Sequence, residues 1–246
     1  MPTRLEGMVV DAVDPAGLAR FWASALDWEI TAEEPDEVVV EPPEAVLWGE
    51  GGPAALVFVP VVEPKTVKNR VHLDLASAST DEQRATVARL LDLGARHADV
   101  GQGEVPWVVM TDPEGNELCV LDPRDAYRDT GPLAAVVLDC ADPVALARFW
   151  AEATGWPVIH QSEHLAALRH PTAPGTRLEL LAAPGRKVTK NRLHPDVRPY
   201  PPDDLAIEVA RLERAGARRI DIGQGEVSWV VMADPEGNEL CVLSPG

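Results

Sequence analysis

The stretch "VPWVVMTDPEGNELCVL" at residues 105–121 returns almost unchanged as "VSWVVMADPEGNELCVL" at 227–243. The likeness runs on well beyond it. "AVDPAGLARFWASALDW" (12–28) is matched by "CADPVALARFWAEATGW" (140–156), and "KTVKNRVHLDL" (65–75) by "KVTKNRLHPDV" (187–197). "LLDLGARHADVGQGEV" (90–105) is matched by "LERAGARRIDIGQGEV" (212–227). The offset is 128 early in the copies and 122 later, so the second copy is shorter by 6 residues in its middle. This period is too long for a solenoid repeat, and each copy has the length of an ordinary domain. The chain therefore reads as two tandem domains, 1–123 and 131–246, joined by a linker at 124–130.

Each copy carries one pattern twice. A short apolar strand ("MVVDAV", "AVVLDC") runs into Asp-Pro. Asp14 and Asp142 suit an N-cap, with Pro15 and Pro143 at the first helical position. Leu18, Phe21, Trp22 and Ala25, and likewise Leu146, Phe149, Trp150 and Ala153, then fall at helical spacing. Three strands are expected next in the first copy, at "EVVVE", "AVLWG" and "AALVFVPV". The pattern restarts with a strand at "RVHLDLA" and a helix from Asp81 to Leu93, closed by Gly94. Strands around "ARHADV", "WVVMT" and "ELCVL" complete it. The expectation is an α+β fold with two βαβββ units in each copy.

Charge narrows the partners. The net charge is −18, and it is uneven: residues 1–123 hold 8 Lys/Arg against 23 Asp/Glu, residues 131–246 hold 12 against 15. Such a surface repels nucleic acid and anionic membrane, and favours a cationic guest. No apolar run reaches the length of a membrane span, and "MPTRLEGMVV" lacks the basic-then-apolar pattern of a secretory signal. Cys119, Cys140 and Cys241 lie in apolar runs and suit reduced thiols. A cytoplasmic protein is expected.

The motifs "LARFWASALDW", "KNRVHLDL" and "DPEGNELCVL", with their second-copy partners, resemble the vicinal oxygen chelate superfamily. That superfamily holds glyoxalase I, bleomycin- and fosfomycin-resistance proteins and extradiol dioxygenases. The resemblance covers nearly the whole chain and implies tandem glyoxalase/bleomycin-resistance/dioxygenase domains. In each, paired βαβββ modules curl a mixed sheet into a cup for a metal or an organic ligand. It also implies a monomer whose tandem domains mimic a dimer, or a homodimer.

The resemblance implies where ligands should lie. The last strand of metal-dependent members carries a glutamate; that place falls on Cys119 and Cys241 here, with Glu117 and Glu239 two residues earlier. The fifth strand commonly carries a histidine, matched by His72 and His194. The first-strand place falls on Gly7 and Ala135, which bind no metal. The fourth-strand acid falls near Phe58 and Leu180, with Glu179 one residue off and so on the wrong face of a regular strand. Strand alternation sets Arg70 and Asp74 on the side of His72, and Arg192 and Asp196 on the side of His194, though Pro195 intrudes there. Asp74 stands too far along the strand to be taken as a direct partner of His72. Trp107 and Trp229 stand ahead of the hairpin, able to flank the cup.

Each copy thus offers at most His plus Cys, too few for a standard metal site. The reading expects no metal, no cofactor and no catalytic residue. It expects binding of a small organic molecule, cationic or aromatic, as in antibiotic sequestration. The alternative is a divalent-metal lyase, isomerase or dioxygenase. Arg70, His72, Asp74, Trp107, Cys119, Arg192, His194, Asp196, Trp229 and Cys241 are the candidate ligand-binding residues.

Overall fold

Sixteen strands and four α-helices make two mixed eight-stranded sheets, in a computed structural model that describes residues 3–43 and 46–245. The first half of copy one supplies β1 (Arg4–Ala12), α1 (Pro15–Leu26), β2 (Glu29–Glu33), β3 (Val38–Glu41) and β4 (Ala55–Pro60). Its second half supplies β5 (Val71–Leu75), α2 (Thr80–Asp92), β6 (Arg96–His97), β7 (Val108–Thr111) and β8 (Glu117–Val120). Copy two repeats this with β9 (Leu133–Cys140), α3 (Pro143–Thr154), β10 (Val158–Gln161), β11 (Leu165–Leu168) and β12 (Arg177–Ala182). It ends with β13 (Leu193–Arg198), α4 (Leu205–Arg214), β14 (Arg218–Arg219), β15 (Val230–Ala233) and β16 (Glu239–Val242).

The sheets do not follow the copies. One runs β10-β11-β12-β9-β5-β8-β7-β6, the other β14-β15-β16-β13-β1-β4-β3-β2. Each therefore joins the first unit of one copy to the second unit of the other, through the antiparallel pairs β5/β9 and β1/β13. We call the face of each sheet away from the helices its cup: the first cup contains β5, the second β13.

The helices start where the sequence places them. Asp14 and Asp142 carboxylates accept from Gly17 and Ala145 backbone N–H at 3.0 and 2.9 Å. At α2 the cap is Ser79, and Glu82 reaches back to the Ala78 N–H at 2.7 Å, a reciprocal capping box. The apolar faces of α1 and α3 and the alternate residues Met8, Val10, Leu56 and Phe58 form one core with Leu73, Val136, Leu138 and Leu180. One expected strand is missing among the described residues and one strand was not expected. "AVLWG" begins outside the described residues and ends in a 3-10 turn, Trp48–Glu50, while "EITAE" forms β2. The turn is fixed from the other copy: Trp48 Nε1 donates to Thr176 O at 2.8 Å. Gly175 is required beside it, because a Cβ there would overlap the carbonyl oxygens of Gly51 and Gly52.

The two Asp-Pro-Glu-Gly-Asn turns fasten the sheets together. Glu236 accepts from the Ala141 and Asp142 N–H groups at 2.7 and 2.9 Å. Arg70 donates to Asn238 Oδ1 at 3.0 Å and Asp139 O at 2.6 Å, and lies 3.5 Å from Glu236. The pseudo-symmetric contact has Glu114 on the Val13 and Asp14 N–H groups, with Arg192 donating to Glu114 at 3.1 Å and to Asp11 O at 2.7 Å.

Because each sheet needs strands from both copies, residues 1–130 expressed alone should be either a dimer or unfolded, never a folded monomer; light scattering with circular dichroism checks this. Arg70→Ala strands several acceptors at once and should cost about 2–3 kcal/mol in urea unfolding, in line with hydrogen bonds to charged groups.

Candidate functional site

Strand alternation sends Val71, Leu73 and Leu75 into the core and His72 and Asp74 to the first cup. The parallel β5/β8 ladder sets Cys119 opposite Asp74. One ligand atom from each of His72, Asp74 and Cys119 lies within 4.8 Å of the others, and all three residues are buried. His72 Nε2 is 3.5 Å from Asp74 Oδ1. The second cup repeats the set with His194, Asp196 and Cys241, with 3.8 Å between His194 Nε2 and Asp196 Oδ1. This corrects the count made from sequence: each cup assembles three metal-competent donors, because the aspartate side chain folds back along its strand to the histidine.

Burial sets the charge state of these groups. It lowers the pKa of His72 to about 4 and of His194 to about 3. Burial raises Asp74 to about 8, helped by the nearby charge of Glu179, and Asp196 to about 7. Both thiols are pushed up by burial and by the neighbouring aspartate. Such a setting opposes a nucleophilic thiolate, which needs a cationic, accessible environment. His72 Nδ1, Asp74 Oδ1, His194 Nδ1 and Asp196 Oδ1 have no hydrogen-bond partner among the described residues. Unpartnered buried polar atoms are rare and mark places where something else binds or strain is held.

The cups differ in the row that carries the histidine. Across the first sheet, register aligns His72, Val137, Glu179, Ala167 and His160. The same row of the second sheet reads His194, Val9, Val57, Val39 and Ala32. Glu179 therefore does face a cup, that of the other copy's His72. The expected fourth-strand places, Phe58 and Leu180, lie in the helix-side core instead. Counting within a copy misplaced the acid because the cup is assembled between copies. Gly7 and Ala135 stand on the cup faces, opposite Asp196 and Asp74.

Glu179 is buried and held by a residue the sequence reading missed. Tyr127, from the linker, donates its hydroxyl to the carboxylate at 3.0–3.1 Å. Arg177 stacks 4.9 Å from the Tyr127 ring and bonds the Ala126 carbonyl. Burial raises the Glu179 pKa against this hydroxyl and the nearby arginines. A lone aromatic inside the polar linker "RDAYRDT" was the available signal. Trp107 packs against the small buried cluster of Val109, Cys119, Leu121, Tyr127 and Ala134, with the Arg124 guanidinium 5.4 Å from its ring, whereas Trp229 is 38% exposed.

Arg70 and Arg192 lie apart from the histidine clusters, occupied in the sheet-to-sheet contacts. The lysines ahead of each histidine are occupied too: Lys65 with Glu117 at 2.7 Å, Lys68 with Asp139 at 2.6 Å, and Lys187 with Glu239 and Lys190 with Asp11 at 2.5 Å each.

The glyoxalase-like domain model matches residues 7–121 and 135–243, so the chain belongs to that family, within the vicinal oxygen chelate superfamily. Glyoxalase I from Zea mays shares the fold at 12% identity and a TM-score of 0.66, over 98% of this chain and 92% of that one. A putative dioxygenase from Bacillus subtilis does so at 13% identity and 0.61, over 100% of this chain and 87% of that one. Comparison with curated proteins gave no match. No helix among the described residues is long and apolar enough to cross a membrane.

Tyr127→Phe should cost about 1–2 kcal/mol, because it strips a buried acceptor of its donor. In a Glu179→Val background the same change should cost much less, and a double-mutant cycle by urea unfolding measures the difference.

Proposed function

We propose that the first cup is the working site and that it takes a small organic molecule above the His72, Asp74 and Cys119 cluster. The observation that carries this is the cross-sheet row, which presents His72, Glu179 and His160 in the first cup and only apolar residues beside His194 in the second. Nitrogen, oxygen and sulfur donors in threes suit a divalent ion of the zinc kind with a position left open. The unpartnered Oδ1 of Asp74, which faces His72 Nε2, fits the same reading. Held by His72, Asp74 and Cys119, such an ion would supply Lewis acidity toward an oxygen of the guest.

The chain's own groups then have distinct tasks. Glu179, across β9 from His72 and held by Tyr127, is placed to exchange a proton with the guest. Arg177 adds positive charge beside it. Trp107 offers an aromatic wall next to Cys119. Together these support proton-transfer chemistry beside a polarised oxygen, in the manner of an isomerase or lyase. Metal-free sequestration, the expectation from sequence, lacked the third donor that the fold supplies.

Natively purified protein should carry at least about one equivalent of divalent metal per chain by mass spectrometry, because a three-donor cluster binds only with its ligands deprotonated and in place. His72→Ala should lose it. A chain that neither carries metal nor gains thermal stability from added zinc, nickel or manganese overturns the metal reading and restores metal-free binding.

A further inference from the structure

A cavity of about 500 Å³ lies outside both cups, between α2 and the linker. None of His72, Asp74, Cys119 or Glu179 lines it. Its polar wall includes Ser77, Thr86, Arg89 and Arg124. Ser77 is buried, and its Oγ has no hydrogen-bond partner among the described residues. Glu82 also borders the cavity, but its carboxylate is engaged at the Ala78 N–H; Asp125 is engaged with Arg128.

The second copy shows what this place looks like when filled from within. Under the 122-residue offset, Arg89 corresponds to Arg211 and Thr86 to Glu208. Arg211 donates to the fully buried Glu208 at 2.8 Å and to the Glu152 and Ala153 carbonyls at the end of α3. Arg89 keeps the corresponding carbonyl bond, to Ala25 O at 2.9 Å, at the end of α1. With threonine in place of glutamate, it has no carboxylate partner among the described residues. A guanidinium matches a carboxylate through parallel N–H donors, and in copy one that carboxylate is absent from the chain.

We propose that this cavity binds a small organic carboxylate, with Arg89 as the anchor and the Ser77 hydroxyl as a second donor. The guest's carboxylate takes the part that the Glu208 side chain plays in copy two. Its remaining body fills the space toward Arg124 and Tyr127, both of which line the cavity.

The test titrates benzoate and succinate, with inorganic phosphate as control, by calorimetry and thermal shift. At least one of the two carboxylates should bind the full chain and raise its melting temperature, as any ligand selective for the folded state does. Thr86→Glu, which copies a pair that already folds in the second copy, should weaken that binding by about tenfold or more, the loss expected when one charged contact is taken by an internal competitor. Ser77→Ala should weaken it by a smaller factor, and His72→Ala, which alters the cup and touches no residue of this wall, should leave it unchanged. Equal binding in wild type and Thr86→Glu overturns the proposal. So does silence from both carboxylates, a response to phosphate alone, or binding lost in His72→Ala, which would put the guest in the cup.

Discussion

Arg70 and Arg192 each leave their own sheet to grip the Asp-Pro-Glu-Gly-Asn turn of the other. Much else depends on this exchange. The glutamate of each turn also accepts the backbone N–H groups that open a helix in the opposite sheet, at Val13 and Asp14 and at Ala141 and Asp142. A second line of ions backs it, with Lys65 on Glu117 and Lys187 on Glu239, both pairs mostly buried. Removing a partner from such a set leaves uncompensated buried charge, which is far more costly than the net value of the pair itself. The most repeated motifs of the chain, Lys-Asn-Arg and Asp-Pro-Glu-Gly-Asn, are therefore spent largely on assembly. Only the histidine, aspartate and cysteine that trail them reach the cups.

That division explains what could be read from sequence. The four βαβββ units follow from periodicity and capping residues, which are local properties: Asp14, Ser79, Asp142 and Asp204 cap the four helices. His72, Asp74 and Cys119 were legible one by one as candidates, but not as a cluster: Asp74 was set too far along its strand from His72, and the parallel ladder that puts Cys119 opposite Asp74 leaves no mark in the spacing. Glu179 was not, since its partner strand lies in the other copy and within-copy counting is off by one residue there. Tyr127 was not, because a linker has no periodicity from which to infer a direction. "AVLWG" failed for a similar reason: its apolar residues serve a contact with Thr176 in the other copy, and no local signal separates that from a strand.

The same packing pushes every group of the clusters toward its neutral form. Burial lowers the histidine and raises the aspartate and the thiol in each cup, so desolvation opposes charge at all three groups. The cost appears instead as unpartnered atoms, and it appears in both cups at the same atoms. Packing faults that arise by chance would not recur at equivalent positions of two copies that differ elsewhere. Recurrence argues that the polar cluster is a retained feature of the cup.

Divergence between the copies then carries the functional information. Where both copies keep the same residues, as in the turns and their arginines, the structure shows a tether. Where they part, it shows a surface open to something else. Val57 stands where Glu179 stands, so the two cups present different chemistry above the same three donors. Thr86 stands where Glu208 stands, so one arginine is neutralised by its own helix and the other faces a cavity. Both differences place the added polar capacity on the same side of the molecule, around the linker. Tyr127 joins them, with its hydroxyl on Glu179 in the cup and a place in the cavity wall. The linker thus serves both places at once, since one of its residues supplies the donor that holds the cup's acid and also borders the cavity beside Arg89.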